Sequence, residues 1–347
     1  MQFSKKLINW YSVNKRVLPW RETKNPYYIW LSEIILQQTQ VKQGLPYYEA
    51  FVAQYPTVFD LANAEEREVL KLWQGLGYYS RARNLHASAK HVVNALKGEF
   101  PKTYKELLNL KGVGDYTASA IASICYNEPT AVVDGNVYRV LSRYFAICTP
   151  TNGSKGVKEF KLLAQELIDQ DNPAEFNQAI MEFGATWCTP KNPKCISCVF
   201  QDSCLAFAHN KVEDYPVKIK SAKAKVKYFN FLVFISDDGN TIIERRKGKG
   251  IWQNLYQFPL VETKKAVDYT TFRNQIEQHH LLKNIPFKLS LYNSEAIVHK
   301  LSHQHLYTKF WIVNVNRLHA EGISVNDIEQ FAVPVLIGKF IDAFNFK

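Results

Sequence analysis

Apolar residues return every three or four positions from residue 3 to about 208, the period of helices that bury one face. Asn25-Pro26 is the clearest start signal: a side chain able to cap, then a ring whose φ is preset for the first turn. The helix it opens is predicted to run through Ile29, Trp30, Ile34, Ile35 and Leu36 towards Val41. The same period predicts helices at about 45–54, 65–73, 80–96, 103–110, 115–126, 135–147, 156–169 and 172–183. The pattern then breaks. Residues 211–227 carry six lysines and Pro216 with no apolar stripe, and are expected to form an exposed basic connector. Beyond it, 228–236 is aromatic and β-branched, and Asp238-Gly239 stands before 241–245, a hairpin signal. Residues 310–315 form another candidate strand and 271–281 a candidate helix. The expected architecture is an all-α domain followed by a smaller α+β domain, as 347 residues exceed one typical core.

Composition adds direction to that picture. Lys and Arg number 43 against 32 for Asp and Glu, a net charge of +11 that favours a polyanionic partner, nucleic acid or an acidic membrane surface. No apolar run reaches the length of a spanning helix, and the start of the chain lacks the apolar stretch of a signal peptide. A cytosolic protein that does not enter membranes is expected, with its thiols reduced.

Under reducing conditions, four cysteines within seventeen residues indicate a metal or iron–sulfur site. They are Cys188, Cys195, Cys198 and Cys204, spaced C-x6-C-x2-C-x5-C. Spacing alone does not separate iron–sulfur from tetrahedral zinc. Cys125 and Cys148 fall on helical patterns and are expected to be buried small apolar residues. Leu110-Lys111-Gly112-Val113-Gly114-Asp115 joins two helices, and its glycines permit a tight turn at a helix amino terminus where backbone N–H groups can meet a phosphate. A plain turn accounts for it equally. Asp134 stands where the next helix is capped, and a helix amino terminus keeps a carboxylate ionised. Glu33 lies mid-helix beside Ile29, Trp30 and Leu36, surroundings that favour a retained proton. Periodicity places it as readily on a polar side near Gln37 and Gln40.

The order of hairpin, following aspartate and cysteine loop resembles the helix-hairpin-helix glycosylases of the endonuclease III superfamily. Within it, the run from Trp30 to Val41, with Pro19-Trp20-Arg21, Gly75-Leu76-Gly77-Tyr78-Tyr79 and Asp134-Gly135-Asn136-Val137, closely resembles the MutY-type adenine DNA glycosylases. The likeness spans nearly all of residues 3–208. It implies a helical glycosylase region over 1–210, with a six-helix barrel at about 26–133 and a cluster part at 1–25 and 134–210. A linker at 211–227 and a Nudix-like domain at 228–347 follow. It also implies a four-iron four-sulfur cluster on Cys188, Cys195, Cys198 and Cys204. Glu33 would protonate adenine at N7 and Asp134 would stabilise the sugar oxocarbenium ion, two carboxylates with separated pKa values. The base must be flipped out of the duplex to reach them. Tyr126 would assist in the pocket that Trp20 and Arg21 line, and Gln38 and Tyr78 would enter the base stack. Gly112, Val113, Gly114 and Asn136 would serve DNA binding. Duplex DNA with adenine opposite 8-oxoguanine or guanine is the implied partner, met by a monomer near the nucleoid.

Two departures bear on the chemistry. Bifunctional relatives hold a lysine where this chain has Tyr116, and a phenol forms no imine with the sugar. That argues for base removal alone, against the alternative of an endonuclease III-like glycosylase and lyase acting on oxidised pyrimidines. In the second half, the run Gly250 to Pro259 resembles a loop of the Nudix-like domain, yet 263–281 lacks the paired acidic residues of a Nudix hydrolase. Leu301-Ser302-His303 matches that domain's recognition motif with leucine replacing phenylalanine, which implies that Ser302 and His303 read 8-oxoguanine.

Overall fold

The computed structural model describes residues 2–220 and 223–346, and divides into two units that are discontinuous in sequence. The first comprises 2–63 with 84–220, the second 64–83 with 223–346. Among the described residues, no helix is long and apolar enough to cross a membrane.

The helices in chain order are α1 Gln2–Asn14, α2 Pro26–Leu36, α3 Val41–Gln54, α4 Val58–Asn63, α5 Glu66–Leu72, α6 Ser80–Leu96 and α7 Tyr104–Leu107. They continue as α8 Asp115–Tyr126, α9 Gly135–Tyr144, α10 Ser154–Leu167, α11 Pro173–Thr186 and α12 Leu205–Ala208. In the first unit α2 packs on α8, and α11 packs on α1, α8 and α9. Their contacts are dry: Trp30, Leu31, Ile35, Ala118, Ala120, Ile121, Phe176 and Ile180 are all buried. Asn25 caps α2 as its side chain accepts from Tyr27 N–H at 3.0 Å.

The helix α2 stops at Leu36 rather than continuing towards Val41, because Gln38 takes a left-handed backbone at φ +56. Residues 211–219 also differ from the exposed connector expected. Thr151 N–H donates to Val217 C=O, Asn152 bonds Ile219 twice, and Tyr215 is buried.

The second unit holds β1 Lys225–Ser236, β2 Asn240–Thr241, β3 Glu244–Arg245, β4 Tyr256–Gln257, β5 Leu260–Thr263, β6 Lys288–Leu291, β7 Ile297–Lys300, β8 Gln304–Val315 and β9 Ile323–Ser324. Two helices, α13 Tyr269–Ile276 and α14 Val335–Ala343, complete it. The main sheet runs β5-β1-β8-β6, with β7 also paired to β8. The hairpin expected from Asp238-Gly239 does not form, because the chain after the turn pairs elsewhere, β2 with β9 and β3 with β4, while β1 pairs antiparallel with β5 over 228–231 and parallel with β8 over 225–236. The turn at Gly239 (φ +75) delivers β2 to β9 instead. Both sheet faces are covered. Trp311 stacks on Phe272 of α13 at 4.3 Å between ring centres, and Phe310 on Phe340 of α14 at 4.0 Å.

Residues 64–83, which the sequence pattern counts with the helical region, group with this sheet unit. Gln74 Oε1 accepts from Val333 N–H at 3.1 Å, Tyr79 donates to Val333 C=O at 3.3 Å, and Arg83 donates to Gln253 C=O at 2.8 Å. Glu66 accepts from both Arg245 and Asn254.

Candidate active site

Of the two orientations that periodicity allows Glu33, the fold adopts the buried one, leaving 8% of the residue exposed. Burial pushes its carboxyl up to about 7; hydrogen bonding with Tyr116 and the charge of Arg21 pull down, while the charge of Asp134 pushes up further. Tyr116, on the first turn of α8, therefore stands against the acid itself. Its own hydroxyl is raised by burial and by the charges of Glu33 and Asp134, and it donates to Met181 Sδ at 3.1 Å.

Asp134 caps α9. Its Oδ1 accepts from Asn136 N–H and Val137 N–H, both at 2.8 Å, and Oδ2 from Asn136 Nδ2 at 2.8 Å. Half-buried by surface and walled by protein, its carboxyl is pushed up by burial, against those three donors and Arg139. The helix terminus thus pulls towards the anion, as the sequence implies, without cancelling the burial. Arg139 connects this end of α9 to the cysteine loop. It donates to Asn136 Oδ1 at 2.8 Å, to Gly184 C=O at 2.5 Å and to Cys188 C=O at 2.7 Å.

Trp20 and Arg21 share a 3-10 turn. Trp20 is buried edge-on to Tyr48, and Arg21 donates to Glu182 at 2.7 Å. The Glu182 side chain, fully buried, also receives two bonds from the Arg16 side chain. Burial would raise its carboxyl; the two guanidinium groups overrule that and hold it at about 2.

Tyr126, at the far end of α8, lines a pocket with Pro26, Tyr28, Phe59 and Lys102. Gln38 is exposed on its turn. The hairpin presents Gly112 and Gly114 to solvent above buried Val113. Gly112 needs to be glycine, since φ is +83 and a Cβ would stand 2.7 Å from Asn84 Cβ.

All four clustered cysteines line one pocket, with Arg143, Trp187, Phe200 and Phe207. Arg143 donates to Cys188 Sγ and Phe200 N–H to Cys198 Sγ, each at 3.4 Å. Among the described residues no three or more Cys, His, Asp or Glu side chains surround a single metal-ion position. Contrary to expectation, Cys125 is only half-buried and Cys148 is exposed, the latter lying beyond the end of α9 where no helix face covers it.

In the second unit Tyr78 is exposed, with φ +47, and its hydroxyl lies 2.5 Å from Ser302 Oγ. Leu301-Ser302-His303 forms the turn from β7 to β8, closed by Leu301 N–H to Gln304 C=O, with Ser302 and His303 exposed.

Residues 31–169 match the HhH-GPD superfamily of base excision DNA repair proteins, and 230–343 a NUDIX domain. An adenine DNA glycosylase of Buchnera aphidicola (Schizaphis graminum) is 34% identical over 90% of this chain and 88% of that protein. One from Arabidopsis thaliana is 38% identical over 78% of this chain, which spans 49% of that longer protein. The rat adenine DNA glycosylase is 46% identical over 60% of this chain and 42% of its own length. Among solved structures, a thermostable thymine-DNA glycosylase matches with TM-score 0.56 and 30% identity, over 60% of this chain and 96% of that one. An endonuclease III in complex with DNA matches in fold at TM-score 0.53 and 21% identity, over 60% and 95%.

Proposed function

Since the chain belongs to the adenine DNA glycosylase family, we propose that it is a base-excision repair hydrolase that removes adenine mispaired with 8-oxoguanine or guanine in duplex DNA, leaving the strand uncut. The observation that carries this reading is a buried carboxyl holding a proton to about pH 7, close enough to feel the charge of a second carboxylate that accepts three hydrogen bonds.

Glu33 donates its proton to N7 of the flipped adenine, which turns the base into a leaving group. As the N-glycosidic bond breaks, positive charge develops on the sugar. Asp134 faces that charge as a preorganised anion until water adds to C1′ of the sugar, its hydroxyl forming the new bond and its other proton restoring the acid. Tyr116, bonded to Glu33, fixes the direction of the acidic proton and supplies no amine for strand cleavage. The exposed hairpin offers backbone N–H groups to the DNA phosphates. Ser302 and Tyr78, already within hydrogen-bond distance of each other, are suited to inspect the opposite base.

Cys188, Cys195, Cys198 and Cys204 would hold a four-iron four-sulfur cluster. Their shared pocket and the N–H donors at two of the sulfurs suit thiolate ligands. When bound, the cluster cross-links the loop that Arg139 and Arg143 join to α9.

The test is a duplex carrying adenine opposite 8-oxoguanine, analysed for strand breaks with and without alkali. Breaks that appear only after alkali are expected. Breaks without alkali, or an adenine strand left intact, would refute the proposal.

A further inference from the structure

Between α8 and the cap of α9 runs a segment, 129–133, that belongs to no helix or strand. Ala131 and Val132 within it are nonetheless buried. Buried backbone N–H and C=O groups need partners, and here side chains supply them. Asn177 of α11, itself fully buried, accepts from Val132 N–H at 3.0 Å and donates to Thr130 C=O at 2.8 Å. Its second amide hydrogen goes to Ser123 Oγ at 2.9 Å. Gln165 of α10 repeats the pattern one residue earlier, accepting from Ala131 N–H at 3.0 Å and donating to Pro129 C=O at 2.6 Å. Lys161 adds a bond to Ala131 C=O at 2.6 Å. Two successive carboxamides thus make the paired bonds that a neighbouring strand would otherwise provide.

We infer that Asn177, aided by Gln165, is a positioning residue for Asp134. The hydrogen bonds that Asp134 itself makes all go to α9, so they orient the carboxylate on its own helix. What anchors the chain leading into it is the clamp from α10 and α11. The inference rests on reading Asp134 as the anion that faces the sugar. A misplacement of about 1 Å at such a group costs about 100-fold in rate.

The experiment is single-turnover adenine release by the full chain on the 8-oxoguanine duplex, with the dissociation constant measured in parallel. Asn177→Ala is expected to lower the rate constant at saturating enzyme by about tenfold or more, with affinity held within about threefold. A purely structural role would reduce the fraction of active molecules, read as burst amplitude, and leave the rate constant of the survivors unchanged. Gln165→Ala, at a half-buried position, guards against a misfolded Asn177 variant and is expected to lower the rate constant several-fold. In an Asp134→Asn background, Asn177→Ala should cost less than about twofold more, since the group it positions is gone. An unchanged rate constant in both single variants, or the full further loss in that background, overturns the inference. A wild-type rate in Asp134→Asn alone instead removes the anion from the mechanism, and with it the role assigned to Asn177.

Discussion

At the residue scale, the proton on Glu33 ties activity to stability. Its carboxyl titrates near 7 in the fold against 4.5 ordinarily, so between those values the folded chain binds a proton that the unfolded chain has released. Stability therefore falls as pH rises through this window, by about 3 kcal/mol once the loss is complete above 7. Glu33→Gln should abolish adenine release while raising stability by up to about that amount at pH 8, and by little at pH 4. Wild-type kcat/KM should fall tenfold per pH unit above about 7, as Glu33 loses its proton, and fall again at acid pH as Asp134 gains one. Denaturation midpoints and a pH–rate profile check both; an unchanged melting curve at pH 8 contradicts the buried acid. Glu33 and Asp134 were legible in the sequence because each sits in a local motif. The place of Tyr116 was not: sequence marks it only as a missing lysine, and its approach to Glu33 depends on how α8 crosses α2. Tyr126 lies ten residues along the same helix, about 15 Å of rise away, and the sequence has no sign of which tyrosine meets the acid.

At the element scale, the contact between α9 and α11 is unusually close. A Cβ on Gly184 would stand 2.6 Å from Asn136 Cβ and 3.0 Å from Asn136 C=O. Asn136 is bonded to Asp134, so a side chain at position 184 that displaces Asn136 displaces the cap as well. Gly184→Ala should lower the excision rate about tenfold or more, and destabilise the chain by about 1–3 kcal/mol through overpacking. Single-turnover kinetics with thermal melting checks this, and a wild-type rate would mean that α11 yields freely. Helix starts were readable from caps and prolines, as at Asn25-Pro26, while helix ends were harder to read. The stop at Leu36 depends on the left-handed Gln38, for which an apolar period gives no warning. The hairpin signal after β1 failed for a nonlocal reason. Its strand is paired with residues 304–315, and no local turn chemistry encodes that parallel partner.

At the scale of the whole molecule, the two halves suggested by composition were legible, and the return of 64–83 to the sheet unit was not, since it rests on contacts between distant parts of the chain. A chain cut after Lys220 would deprive Gln74, Tyr79, Arg83 and Glu66 of the partners described above. Trypsin should then cleave at Lys71 or Arg83 well before it cuts there in the full chain, and equal resistance would show that 64–83 holds its shape unaided. The same topology sets an order of events in time. The partners of 64–83 lie 170 to 260 residues further along. At a synthesis rate of about 5–20 residues per second they emerge from the ribosome roughly ten to fifty seconds later. For that interval a segment with Trp73 and Leu70 at its centre waits unpaired in a crowded cell, a natural client for whatever shields nascent apolar chain.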